Sequence, residues 1–235
     1  MVERIEPQNP GWTAVDEYIG GHLLGDDPVL AAVLAANAAA GLPDIDVSPA
    51  HGRLLQLMAR MMGARRILEI GTLGGYSTVC LARALPEGGS LVTLEIDPHH
   101  ADVARGNLEK AGVADKVELI VGAAVDTLAT LEGPFDFIFI DADKPSNTAY
   151  LKQAVRLSRA GTAIVVDNVV REGEVLDADS GDERVAGTRA LFEAVAVEPR
   201  LAATAVQTVG MKKWDGFLLA LVDSGPRSGS GKEQL

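Results

Sequence analysis

Cysteine is almost missing. Cys80 is the only one in 235 residues, so no disulfide can form within the chain and no cysteine-rich metal centre can be built. It reads as a small buried hydrophobe rather than a nucleophile. Positive charge is also short: 21 Lys and Arg face 33 Asp and Glu, a net charge of −12. A field of that sign repels nucleic acid and anionic membranes, and no basic run offsets it. No stretch of about 20 apolar residues exists, so no membrane span is expected. The segment Met1–Pro7 lacks the basic-then-apolar layout of a signal peptide, and a cytoplasmic protein is expected. What is present is ordinary for a globular chain: 47% hydrophobic and 23% charged residues, which excludes a disordered, collagen-like or disulfide-scaffold protein.

The first third reads as helix. Trp12, Val15, Ile19 and Leu23 recur at helical spacing, and Leu30, Val33 and Leu34 begin a second apolar face that Gly41-Leu42-Pro43 ends. Ser48-Pro49 starts a third helix, with Ser as N-cap and an expected core stripe of Leu54, Leu57, Met58 and Met61. Past Gly63 the rhythm changes to short apolar runs alternating with helical patterns. Strands are expected at 66–70, 91–96, 116–121, 135–141 and 161–167, with helices at 75–85, 98–111, 124–131 and 146–159 between them. Such repetition predicts an α/β fold with a mostly parallel sheet and helices on both faces. An acidic stretch from Arg171 to Arg184 reads as a loop or lid before a helix to Val197. The last strands, near 201–206 and 216–221, are too close for a helical crossover and should be antiparallel. The expected organisation is N-terminal helices over 1–44, packing on the core or a partner, a main domain over 45–222 and a flexible Gly/Ser-rich tail over 223–235.

The first strand runs into Gly71-Thr72-Leu73-Gly74-Gly75-Tyr76-Ser77, and Glu95 ends the next strand 24 residues after Gly71. That layout suits a nucleotide-type cofactor, with Glu95 on the ribose. The spacing is not Gly-x-Gly-x-x-Gly, and Glu69 stands at the mouth of the loop. A carboxylate there opposes a pyrophosphate and suits a cationic head, which favours S-adenosylmethionine over a nicotinamide dinucleotide. A glycine turn that binds nothing is the plain structural reading.

The fourth strand ends in Asp141 and the fifth in Asp167-Asn168. Neighbouring strand ends lie about 4.8 Å apart on the ligand-binding edge of an open α/β sheet. Two carboxylates and an amide oxygen make a hard-oxygen site for Mg²⁺, with Mn²⁺ or Ca²⁺ also suited. The alternative is that each Asp caps the helix after it. Lys144 follows Asp141 by three residues. Lysine is a poor base at neutral pH, but burial and a neighbouring divalent cation each favour the neutral amine. None of His22, His51, His99 and His100 shows ligand spacing, and His51 reads as structural.

Together, the segments from Ile67 to Ser77, Phe135 to Lys144 and Val166 to Asn168 resemble the cation-dependent O-methyltransferases, the caffeoyl-CoA and catechol group, and the chain is similar to a bacterial member. The similarity covers roughly residues 45 to 222. It implies a seven-stranded, Rossmann-like S-adenosylmethionine-dependent methyltransferase sheet with the last strand antiparallel. It also implies cofactor contacts at Val47, Glu69, Gly71, Ser77, Glu95, Ala124 and Asp143, with Thr72 and Asp141 counted among them. Metal ligands at Asp141, Asp167 and Asn168 and a general base at Lys144 are implied too, with Asp141 sharing in catalysis. The implied reaction is an in-line displacement on a vicinal diol whose reacting hydroxyl gives its proton to Lys144. A homodimer is implied, because relatives of this group pair and the first helices carry apolar faces.

Two features depart from the plant members. Val169-Val170-Arg171 replaces aromatic residues after the Asp-Asn pair, and the lid carries Glu172, Glu174, Asp177, Asp179, Asp182 and Glu183. An acidic rim should repel the phosphates of a CoA ester, partly offset by Arg184 and Arg189. The expected substrate is therefore a small free catechol or another vicinal-hydroxyl phenol. A nicotinamide-dependent oxidoreductase is the rival; it explains the loop and Glu95 but not the strand-end oxygens, and no Tyr-x-x-x-Lys motif occurs.

Overall fold

In the computed structural model, which describes residues 9–224, the chain from Arg66 onward builds one sheet in the order β3-β2-β1-β4-β5-β7-β6. The strands are β1 (Arg66–Ile70), β2 (Ser90–Glu95), β3 (Val117–Val121), β4 (Phe135–Ile140), β5 (Ser158–Asp167), β6 (Leu201–Gly210) and β7 (Lys213–Val222). The first five run parallel, and β7 pairs antiparallel with both β5 and β6. This is the expected fold class. The central strands are buried on both faces: every residue from Ile67 to Ile70 and from Phe137 to Ile140 is inaccessible. Continuous apolar runs are what a doubly covered parallel sheet requires.

The helices between the strands cover both faces: α4 (Tyr76–Ala82), α5 (Pro98–Lys110), α6 (Ala124–Thr130), α7 (Asn147–Arg156) and α8 (Glu183–Val197). One core joins Leu68, Ile138, Ile164 and Leu218 to α7 and α8; the other joins Ile67, Phe137 and Phe139 to Leu55 and α4. Among the described residues three helices precede the sheet: α1 (Pro10–Ile19), prolonged by a π turn over Gly20–Leu24, α2 (Pro28–Ala39) and α3 (Pro49–Met61). Ser48 caps α3 by accepting the His51 N–H at 3.2 Å, with Pro49 at its first position. Asp27 caps α2 and also pairs with Arg83 at 2.6 Å, fastening α2 to the end of α4. Asp16 of α1 accepts the Met211 N–H at 2.8 Å in the turn between β6 and β7.

Several boundaries differ from expectation. The β6–β7 hairpin is longer, with its turn at Met211-Lys212, because the flanking polar residues pair across strands as readily as apolar ones when one face is open to water. The helix α7 ends at Arg156, and β5 begins at Ser158, since Thr162 Oγ1 bonds the Phe135 carbonyl and draws the chain into the sheet early. The stripe of α3 is rotated: Gly52, Leu55 and Ala59 face inward, while Leu57 is exposed and Met61 is 85% accessible. Small residues take the contact face because α4 packs close; a Cβ on Gly52 would press on Cys80 Sγ at 2.9 Å. Cys80 is buried, and burial pushes its thiol up to about 12, an inert group. The segment Met1–Pro7, expected not to be a signal peptide, and the expected tail from 225 on lie outside the described residues.

Candidate active site

The carboxyl ends of β1, β2, β4 and β5 open into a cavity of roughly 570 Å³. Val47, Gly71, Thr72, Ser77, Glu95, Ala124, Asp141, Asp143, Lys144 and Asn168 line it. Ten of the twelve site residues marked in the sequence therefore line one cavity, from Val47 to Asn168; Glu69 and Asp167 are buried and do not line it.

The glycine loop is held from below by Glu95. One carboxylate oxygen accepts the N–H groups of Thr72 at 3.2 Å and Leu73 at 2.8 Å; the other accepts the Asp97 N–H at 2.9 Å. Three of about four lone-pair positions are used, which leaves capacity toward the cavity. Gly71 is required by space as well as by its φ of +98°: a Cβ there would collide with the Asp141 carbonyl. Its absence brings the loop against the end of β4. A network missed in the sequence braces the other side. Asn107 Nδ2 donates to Asn37 Oδ1 at 3.0 Å and to the Gly74 carbonyl at 2.9 Å, and Asn37 Nδ2 donates to Asp46 at 3.0 Å. Asn37 lies within the apolar, alanine-rich α2, and its side-chain partners lie 9 and 70 residues away, so no local sequence pattern marks it.

Glu69 departs from its expected place. It is inaccessible and does not line the cavity, because its side chain turns into the sheet rather than toward the loop mouth. Oε2 accepts the hydroxyls of Thr78 and Thr93, and Oε1 is buried without a partner. Burial pushes its carboxyl up to about 7, against the pull of Thr78, Ser77 and Thr93.

The strand-end residues do meet. Ile140 and Val166 are partners across β4 and β5, so Asp141 and Asp167 leave the sheet side by side. Neither caps a helix: the capping role belongs to Asp143, which accepts the Ser146 N–H at 3.2 Å and the Tyr150 hydroxyl. Those donors outweigh burial and hold the Asp143 carboxyl below its ordinary range. Asp167 is driven well above it, first by burial and then by the charge of Asp141, with Lys144 opposing. Asn168 adopts a left-handed φ of +57°, which Asn tolerates better than most residues, and its N–H donates to Asp167 Oδ1 at 2.8 Å. Among the described residues no three His, Cys, Asp or Glu side chains are grouped so as to hold a metal ion by themselves, so a cation site here depends on the Asn168 amide as its third oxygen.

Lys144 is only 6% accessible, with Nζ at 3.0 Å from Asp141 Oδ1. Gly187 lets α8 press on its backbone; a Cβ there would strike the Lys144 carbonyl. His51 is not remote from the chemistry. Its Nδ1 lies 3.5 Å from Asp167 Oδ2, and its ring sits 5.5 Å from that of Phe217. Burial lowers its pKa below that of an ordinary imidazole.

The acidic rim is a correction. No acidic side chain of the segment 171–183 lines the cavity; Arg171 and Arg184 do. Asp182 is turned onto Arg184 and caps α8, Glu172 pairs with Lys213 at 3.2 Å, and Asp177 accepts the Asp179 N–H. Composition alone had counted charges without their directions. His100, Tyr150 and Asp46 also line the cavity and were not picked out in the sequence.

A family model described as O-methyltransferase matches residues 23–221. Catechol O-methyltransferase of Mycobacterium tuberculosis is 55% identical over 216 residues, covering 92% of this chain and 98% of that one. An O-methyltransferase from Bacillus cereus, solved in complex with SAH, superimposes with a TM-score of 0.89 at 55% identity, covering 91% of this chain and 99% of that one. Another from Streptomyces achromogenes, solved with SAM, gives 0.88 at 46% identity, covering 95% and 100%.

Proposed function

The chain belongs to the O-methyltransferase family and is an S-adenosylmethionine-dependent O-methyltransferase, and on that premise we propose that its acceptor is a catechol, methylated with the help of a divalent cation. The observation that carries the cation is the buried pair Asp141 and Asp167, whose mutual repulsion neither Lys144 nor His51 removes. With Asn168 they offer three hard oxygens, the donor set Mg²⁺ takes, and Mn²⁺ or Ca²⁺ fits the same set. Such a cation supplies Lewis acidity that eases ionisation of a phenolic hydroxyl. S-adenosylmethionine supplies the electrophilic methyl.

The chain's own residues do the rest. Glu95 holds the loop and keeps an oxygen face for ribose hydroxyls. Ser77, Val47, Thr72 and Gly71 shape the methionine end, and Ala124 and Asp143 border the base. Glu69, off the cavity, fastens β1 to Thr78 of α4 and Thr93 of β2 beneath the loop. Lys144 Nζ stands beside Asp141, where it takes the proton of the reacting hydroxyl. Leu94, Ile96, Ala142 and Pro145 exclude water around the transfer. A rival hydride transfer has no support from these groups, and the family membership removes it.

The test is substrate choice and chelation together. A catechol should be turned over with Mg²⁺, lose turnover in EDTA and regain it with the metal, while a monophenol stays nearly inert. Full activity in EDTA, or equal turnover of the monophenol, would overturn the reading.

The same reading includes a homodimer. Val15, Tyr18, Leu23 and Met61 are exposed on α1, the π turn and α3, and beside them Leu24, Leu30 and Leu34 line a groove of roughly 310 Å³. A second copy would cover these faces. Light scattering should give twice the chain mass at micromolar concentration; a monomer there removes the dimer. No described helix is long and apolar enough to cross a membrane.

A further inference from the structure

The cavity contains three cationic side chains of Lys and Arg among its described residues, and two are engaged. Lys144 is on Asp141, and Arg184 is on Asp182. Arg171 is not: its Nε is buried without a partner, and the salt bridges of the lid's carboxylates go to Arg184 and Lys213 instead. The Asp182 carboxyl feels its charge, but the hydrogen bonds of Asp182 go to Arg184.

The backbone at Arg171 is fixed. Asp215 Oδ1 accepts the N–H groups of Val170 at 3.0 Å, Arg171 at 3.1 Å and Gly216 at 2.9 Å. Arg171 and Glu172 both have left-handed φ, +57° and +54°, and Gly173 lies flat against Trp214, where a Cβ would come within 2.9 Å of the ring. A loop held this firmly presents the guanidinium from a set position, three residues beyond Asn168. Asn168 belongs to the proposed cation site, where the hydroxyls of the acceptor would bind. The methionine end is built from other elements, the β1–α4 loop and the start of α3.

Resting on the catechol reading, we infer that Arg171 selects acceptors carrying an anionic substituent, a carboxylate on the catechol ring or its side chain. A planar guanidinium with unused donors matches a carboxylate, and the partial exclusion of water strengthens the pair. A neutral catechol leaves the charge unpaired.

The experiment compares kcat/KM for 3,4-dihydroxybenzoate and its methyl ester, with S-adenosylmethionine and Mg²⁺, in the wild type and in Arg171→Gln and Arg171→Lys. The wild type should prefer the acid. Arg171→Gln should lower the acid-over-ester ratio by about 10- to 100-fold, and Arg171→Lys should fall between, keeping charge without the fork. Titration calorimetry with S-adenosylmethionine should give the same Kd in wild type and variants, which also reports that the variants are folded. A wild-type preference for the ester, an equal loss on both substrates, or a weakened S-adenosylmethionine Kd would overturn the inference while leaving the catechol reading intact. Turnover of neither compound would overturn the catechol reading, and this inference with it.

Discussion

At the N-terminal edge of the sheet, Asp136 of β4 has donors for both oxygens: the N–H groups of Arg65 at 2.8 Å and Arg66 at 2.9 Å, and Arg159 Nη2 at 2.6 Å. Burial alone would raise its carboxyl, but these donors hold it below its ordinary range. At the opposite edge, one residue past the end of the same strand, Asp141 faces Asp167. There burial and like charge push Asp167 far the other way. Both edges carry strand-terminal aspartates, so residue type does not separate them. What separates them is who supplies the counter-charge. A carboxylate answered by the chain's own donors is a fastening. Two carboxylates set against each other in a low-dielectric edge keep a deficit of positive charge that a ligand is left to fill.

The largest test of this contrast is Lys144→Ala. As the proton acceptor it should lower kcat by about 10²- to 10⁴-fold, with S-adenosylmethionine affinity retained. A loss below tenfold would make Lys144 only a partner for Asp141. Glu69→Gln sharpens the picture one layer beneath the site. The folded Glu69 carboxyl titrates near 7 and the ordinary one near 4.5, so its penalty is absent below pH 4.5 and complete above pH 7. Stability of the metal-free protein should therefore fall by about 3 kcal/mol as pH rises through that window, and the Gln variant should lose this slope. Denaturant melts at a series of pH values read it directly, and an unchanged slope would remove Glu69 as its source.

The smallest effects should differ in sign. Asp136→Ala orphans two backbone donors and should cost about 2 kcal/mol of stability. Asp167→Asn should stabilise the metal-free protein at pH 7 while weakening Mg²⁺ binding, because it removes a repelled buried charge. If both variants destabilise alike, the two edges do not differ as described.

Much of this was legible beforehand because it rests on local rules. Alternating apolar runs and helical stripes marked out the α/β core, Ser48-Pro49 marked a helix start, and Asp141, Lys144, Asp167 and Asn168 stood at strand ends that topology must align. Misreadings occurred where direction mattered. Glu69 sits on a strand, so a register of one residue decides whether it meets the loop or the sheet interior. None of the acidic lid residues lines the cavity, and Glu172, Asp177 and Asp182 turn to Lys213, the Asp179 N–H and Arg184 instead.

By itself, the amino-acid order determined the strand and helix repeat, the shortage of thiols and basic residues, and the oxygen-bearing side chains that stand at the strand ends. It did so because periodicity and residue chemistry are properties of short segments. Only the tertiary structure decided that Gly71 must yield space to the Asp141 carbonyl, that Asn37 braces a loop far from it in sequence, and that Arg171 rather than the lid's carboxylates faces the cavity. Those depend on which surfaces meet after folding, and on which charges are already answered when they do.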